Sequence, residues 1–169
     1  TIFVGDTSVH EYPTSEQMAE IAISAARVVR LFGFDPKVAF VSHSTFGQPL
    51  TNRTKHIKNA VEILKEKNVN FEFDGDMQPD VALDKEYQSL YPFSNIVGNA
   101  NILIMPGQHS AAISYKMMKT LGDSKVIGPL LIGLGLPIEI APLRSSTSEI
   151  LNLASIAAYS SDVINYQKN

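Results

Sequence analysis

The hydroxyls, carboxylates and imidazoles of this chain gather in short polar stretches, each following an apolar run. Ser42-x-Ser44-Thr45-x-Gly47 offers three hydroxyls on a flexible backbone, a combination suited to an anion such as phosphate. The same residue types also cap helices and shape turns. Asp74, Asp76 and Asp80 supply oxygens for a divalent cation, but position 85, where a calcium loop needs its bidentate glutamate, is Lys85. Turn formation and helix N-capping are therefore the expected roles of these aspartates. His43 and His109 lack any Cys or Glu-x-x-His companion spacing, so metal ligation is not expected of them, and His10 and His56 carry no pattern. Lys116, beside Tyr115, stands where it meets either a phosphate or solvent. Arg144-Ser145-Ser146-Thr147 precedes a helical apolar stripe, and Ser146-x-x-Glu149 has the form of a capping box. These residues define polar, anion-suited loops; taken alone they define no reaction.

The elements that position them alternate. Ile2–Val4, Val38–Val41, Phe71–Phe73, Asn101–Met105, Val126–Ile132 and Ile138–Ile140 read as strands. Pro13-Thr14-Ser15-Glu16-Gln17 opens a helix, with Thr14 as N-cap, Gln17 as its capping-box partner and Gly33 closing it. Its apolar face is Met18, Ile21, Ala22, Ala25, Val28, Val29 and Phe32. Ile57, Ala60, Val61 and Leu64 mark a second helix, and Ile113, Met117 and Leu121 a third. Ile150, Leu153, Ala154, Ala157 and Ile164 mark the last. Strand-helix alternation at this spacing predicts an α/β fold, a three-layer α/β/α lobe with a mostly parallel sheet. Ligands of such sheets bind at the carboxyl ends of the strands, so the polar stretches 6–9, 42–47, 74–80, 106–110 and 142–149 are the places to look.

Composition narrows the class. The chain has 169 residues with 44% apolar content, enough for a sizeable core. It has no cysteine, which excludes disulfide and thiolate chemistry. A net charge of −3 without a basic run argues against nucleic acid. The apolar runs are far shorter than the roughly 18 residues of a membrane span. No signal-peptide pattern opens the chain, so the cytoplasm is the expected compartment. Ile2-Phe3-Val4 instead reads as a strand cut from a longer polypeptide.

Several blocks together resemble the second lobe of the phosphate acetyltransferases, in the phosphate acetyl/butyryltransferase family. They are Asp6-Thr7-x-Val9 with Pro13-Thr14, Ser42-x-Ser44-Thr45, and Asp74-Gly75-Asp76-Met77-Gln78-x-Asp80-x-Ala82-Leu83. Gly98-Asn99-Ala100-Asn101, Tyr115-Lys116 and Ile127-Gly128-Pro129 continue the likeness. Tyr91-Pro92-Phe93-Ser94, Ile138-Glu139-Ile140-Ala141-Pro142-Leu143 and the ending Asn152-Leu153-Ala154-x-Ile156-Ala157-Ala158-Tyr159 resemble the C-terminal domain of the bacterial NADP-dependent malic enzymes. The resemblance implies the fold of the isocitrate and isopropylmalate dehydrogenases, two α/β lobes around a cleft, working as a dimer. Residues 1–145 would be the second lobe, and residues 146–169 a helix returning to a first lobe that this chain lacks.

It also implies what the last loop should carry. Phosphate acetyltransferases place a Ser-Arg pair just before this helix and an Asp near its start, the Ser and Asp handling the CoA thiol proton and the Arg holding phosphate. Aligned without gaps, those places are Pro142, Leu143 and Glu149; a one-residue deletion puts Arg144 in the arginine's role. Proline and leucine supply neither hydroxyl nor cation, so the resemblance implies lost catalysis. The expected function is a regulatory and assembly domain sensing acetyl-CoA or CoA. It would be fused to a malic enzyme that uses NADP and Mg or Mn, and would join copies into a homo-oligomer; no cofactor is expected on this chain itself. Ser42, Ser44, Thr45, Tyr115, Lys116, Arg144, Ser145, Ser146 and Thr147 are the expected ligand-binding residues. The alternatives are an active acetyltransferase lobe, in which Arg144 and Glu149 serve catalysis, and a purely structural dimerisation domain.

Overall fold

A computed structural model describes residues 1–122, 125–134 and 136–166, and the side chains of 162–166 are left aside. The chain divides into two compact units, Thr1–Lys116 and Met117–Asn169. The expected boundary at 145/146 concerns a lobe outside this chain and stands apart from this division.

The first unit is built on four parallel strands in the order β1-β4-β2-β3, with β1 Phe3–Gly5, β2 Lys37–Val41, β3 Glu72–Met77 and β4 Ile102–Ile104. Along β2, residues alternate between two covered faces, and all but Lys37 are buried. Ala39, Val41, Leu103 and Met105 join Met77, Val81, Ala82, Ile96, Ala100 and Ala111 in one core cluster. Val38, Phe40, Ile102 and Ile104 are fully buried on the other side. There α1 (Ser15–Leu31) and α2 (Asn52–Glu66) pack. Ile104 reaches toward α1: a Cβ on Gly5 would lie 2.7 Å from the Ile104 Cδ1 and 3.2 Å from the Ile21 Cγ2. Each fully buried side chain of this kind, such as Ile57 or Leu64, stabilises the fold by about 2 kcal/mol.

Local chemistry sets the helix ends. Thr14 accepts from the Gln17 N–H while Gln17 accepts from the Thr14 N–H, the expected capping box. At the other end, Gly33 takes φ 80°, its N–H donates to the Arg30 carbonyl and that of Phe34 to the Val29 carbonyl, a Schellman close. A second capping box, Thr51 with Thr54, starts α2. The helical stripe Ile57, Ala60, Val61 and Leu64 is buried as expected. Two short helices, α3 (Pro79–Leu83) and α4 (Lys85–Ser89), were not foreseen. Asn101 pins the sheet's amino edge: it accepts from the Lys37 N–H at 2.8 Å and donates to the Asp35 carbonyl at 2.7 Å.

Helix α5 (Gln108–Leu121) forms where a helix was expected, but Ile113, Met117 and Leu121 are exposed. In the second unit α6 (Thr147–Tyr166) buries Leu153, whereas Ile150 is half exposed; Ile164 lies outside the described side chains. Val126–Ile132 and Ile138–Ile140, expected as strands, are irregular, and no described residue from 125 to 140 is buried. Pro129 and Pro137 lack the N–H a ladder needs, and no strand runs beside them among the described residues. The segments meet instead through a side chain, the Leu131 N–H donating to the Glu139 carboxylate at 3.2 Å. Burial pushes that carboxyl's pKa up, against the lowering effect of this bond. No helix among the described residues is long and apolar enough to cross a membrane.

Candidate functional site

Because all four strands run parallel, their carboxyl ends share one edge, and the loops after β1, β2 and β4 emerge there. The loop after β2 is the most constrained. Its Thr45–Gln48 turn is closed by reciprocal backbone bonds of 3.2 and 3.4 Å, with Phe46 at φ 49° and Gly47 at φ 82° in its centre. Glycine adopts that conformation freely, whereas in phenylalanine it costs about 1–2 kcal/mol. Asp76 holds the turn: its carboxylate accepts from the Ser44 hydroxyl and, at 3.1 Å, from the Gly47 N–H, while its carbonyl accepts from the Phe46 N–H at 2.6 Å.

Asp74 does the same for a second loop, accepting from the Asn95 N–H at 2.7 Å and the Asn95 amide at 3.2 Å. Asp74 and Asp76 are both nearly fully buried, so their charges require these donors. The expectation that they form a loop and cap a helix is corrected here. They lie inside β3, which runs four residues beyond Phe73 to Met77 and so starts and ends later than Phe71–Phe73, and α3 has Gln78 as its N-cap, with no side-chain cap bond. Asp80 is exposed, and its carboxylate accepts from the Val81 N–H at 2.9 Å.

The two loops so held bring three rings together. Phe46 lies 5.4 Å from Tyr91 and 4.8 Å from Phe93, and Tyr91 lies 6.1 Å from Phe93, the last two pairs edge to face. At the end of β1, the Asp6 carboxylate accepts from the Val9 N–H at 3.0 Å and lies 2.7 Å from the His10 Nδ1. Neither the rings nor the Asp6–His10 pair was foreseen; the first has the Tyr91-Pro92-Phe93 motif as a sequence signal, the second only an i, i+4 spacing.

Of the expected ligand residues in this unit, Ser42, Ser44 and Thr45 do share one loop. Ser44 is fully buried against Asp76, and the Thr45 hydroxyl accepts from the Gln78 N–H at 3.2 Å. Those two hydroxyls serve the loop itself, and so does that of half-buried Ser42, which accepts from the Ser44 N–H at 3.3 Å, while His43 is exposed. Tyr115 is half buried and Lys116 exposed on α5.

In the second unit Pro142, Leu143 and Arg144 are exposed, Leu143 completely. The Ser145 N–H donates to the Pro142 carbonyl at 2.9 Å, and its buried hydroxyl has no partner among the described residues. Ser146 and Glu149 form the expected capping box: the Glu149 carboxylate accepts from the Ser146 N–H at 2.7 Å and hydroxyl at 2.9 Å, and the Glu149 N–H donates back at 3.3 Å. Lys119 adds an ion pair at 3.3 Å. The Ser146 N–H first, then its hydroxyl and the Lys119 ammonium, hold the Glu149 carboxyl below the usual carboxylate range. Thr147, exposed, begins α6. Among the described residues no cluster of three or more His, Cys, Asp and Glu side chains is placed to hold a metal ion.

Comparison with known proteins agrees with this architecture. The family model "Phosphate acetyl/butaryl transferase" matches residues 1–158. An NADP-dependent malic enzyme of Rhizobium meliloti (strain 1021) is 48% identical over 159 residues, covering 94% of this chain and 21% of its own length. A phosphate acetyltransferase of Clostridium acetobutylicum is 37% identical over 157 residues, covering 92% of this chain and 47% of its own. A phosphotransacetylase structure from Streptococcus pyogenes superposes with a TM-score of 0.89 at 33% identity, covering 94% of this chain and 48% of that one. The chain thus spans about a fifth of the malic enzyme and about half of each phosphate acetyltransferase.

Proposed function

Because this chain belongs to the phosphate acetyl/butaryl transferase family, we propose that it is the regulatory and assembly domain of an NADP-dependent malic enzyme, binding acetyl-CoA without transferring its acetyl group. One observation carries the absence of transfer: the positions aligned with the family's serine, arginine and aspartate offer no free proton acceptor. Pro142 and Leu143 present neither hydroxyl nor cation, and the Glu149 carboxylate is engaged by Ser146 and Lys119. A carboxylate whose pKa is lowered by three donors is a weak general base. A ligand bound without turnover acts only by favouring one state of the protein over another, which is the logic of an effector site.

The remaining parts of the reading follow from the family. A first lobe would pack on the second unit, and homo-oligomers would form through these domains. NADP and Mg or Mn would serve the malic enzyme part, in the cytoplasm. The exposed apolar side chains of the second unit, among them Ile127, Leu136, Ile138 and Ile140, support a covering lobe.

The test is calorimetric titration of acetyl-CoA into the full-length protein, beside an acetyl phosphate–CoA exchange assay. Binding without exchange is expected. Exchange well above background would overturn the reading and return Arg144 and Glu149 to catalysis; neither binding nor exchange would leave assembly alone.

A further inference from the structure

We propose that His10, held in one tautomer by Asp6, is a hydrogen-bond acceptor for an uncharged donor of a bound ligand, the hydroxyl or an amide N–H of a pantetheine arm; this deepens, and rests on, the acetyl-CoA reading above. Topology gives the pair its place. The connection after β1 leads to α1 on one face of the sheet, whereas the one after β4 leads to α5, whose Ala111 joins the core cluster of the other face. Since β1 and β4 are neighbours, their carboxyl ends form a topological switch point, where open α/β sheets take up ligands. The two loops meet at that point. The Gln108 N–H donates to the Glu11 carbonyl at 3.1 Å, and a Cβ on Gly107 would lie 2.8 Å from the same oxygen. His10 immediately precedes this junction.

Side-chain chemistry then fixes what His10 offers there. The Asp6 side chain is 4% exposed, and its carboxylate accepts from the Val9 N–H at 3.0 Å and the His10 N–H at 3.3 Å. A carboxylate only accepts, so the ring nitrogen 2.7 Å from it, Nδ1, carries the proton. In the neutral imidazole the other nitrogen, Nε2, is then an acceptor. No described residue bonds Nε2, and the side chain is 34% exposed, so this acceptor is open to a ligand. Such a nitrogen takes an O–H or N–H donor and gains nothing from a phosphate, whose oxygens accept as well. Within a coenzyme A thioester, the pantetheine arm is the part that carries a hydroxyl and amide N–H groups without charge, whereas the nucleotide end brings phosphates with it.

The experiment measures affinities of full-length wild type and His10→Asn for acetyl-CoA and for S-acetyl-4′-phosphopantetheine, which keeps the arm and lacks the adenosine. An asparagine amide can donate to Asp6 in place of Nδ1 but puts no acceptor where Nε2 stands, so the loop is kept and the contact removed. His10→Asn is expected to weaken both ligands by the same factor, about fivefold, with an unchanged unfolding midpoint. The nitrogen NMR spectrum of the wild-type ring should place the proton on Nδ1, with Nε2 the nitrogen that shifts when acetyl-CoA is added. Equal acetyl-CoA affinity in wild type and His10→Asn overturns the contact while sparing the acetyl-CoA reading. A loss confined to acetyl-CoA assigns the contact to the adenosine and overturns the arm. A proton found on Nε2 overturns the tautomer and the proposal with it. Wild type that binds no acetyl-CoA sinks both this proposal and the reading on which it rests.

Discussion

Two aspartates of one strand show how much a single side chain can organise. Asp76 satisfies a hydroxyl and two backbone N–H groups of the loop after β2, counting its own carbonyl. Replacing it by alanine strands the buried Ser44 hydroxyl and the part-buried Gly47 N–H. Asp76→Ala should therefore lower unfolding stability by about 3 kcal/mol, measured by denaturant titration, and Asp76→Asn by less because an amide oxygen still accepts. Equal stability of Asp76→Ala and wild type would mean that water takes over the bonds. The block Asp74-Gly75-Asp76 was visible in the sequence as something special, but its purpose was not. Its partners stand 21 and 32 residues away, and spacing along the chain reports neighbours on a turn or helix, not those across a sheet edge. Gly75 shows the same limit: a Cβ there would lie 2.7 Å from that of Phe40, a closeness created only when β2 and β3 pair.

Helices were legible to the extent that their ends carry their own chemistry. Thr14 with Gln17, Gly33, and Ser146 with Glu149 all work as read, because each device acts within a few residues. The Ser146–Glu149 box also carries a pH dependence. The Glu149 pKa is lowered in the folded protein, so its contribution is complete above the ordinary carboxylate range and lost as pH falls through the lowered value. The start of α6 should accordingly loosen as pH falls below the ordinary glutamate range, seen as shifts in the amide resonances of Glu149 and Ile150. Glu149→Gln should abolish that transition; a transition that survives the substitution would assign it to another group. Strands proved harder. Val126–Ile132 and Ile138–Ile140 have the apolar composition of strands, yet composition measures the wish to be buried and says nothing of a neighbour to pair with.

At the scale of the whole molecule the two units differ in how well they cover themselves. The first encloses its sheet on both faces; the second leaves Leu121, Leu136, Leu143 and Leu151 largely exposed. If a first lobe covers the second unit in the full-length protein, the amides of 126–132 and 138–140 should there exchange hydrogen nearly as slowly as those of β2. Exchange at the rate of open chain would remove the lobe from the proposal. The strand order β1-β4-β2-β3 has a further consequence for the making of the protein. Of these four strands β1 is synthesised first but borders neither β2 nor β3; among the described residues it pairs with β4, synthesised last of the four. A growing chain can dock β2 beside β3 as soon as α2 is formed, yet it must carry β1 unpaired until Ile104 leaves the ribosome. Of the four, β1 is thus the last to be paired, and nascent chains halted short of that point would expose Phe3 and Val4 to any chaperone that surveys them.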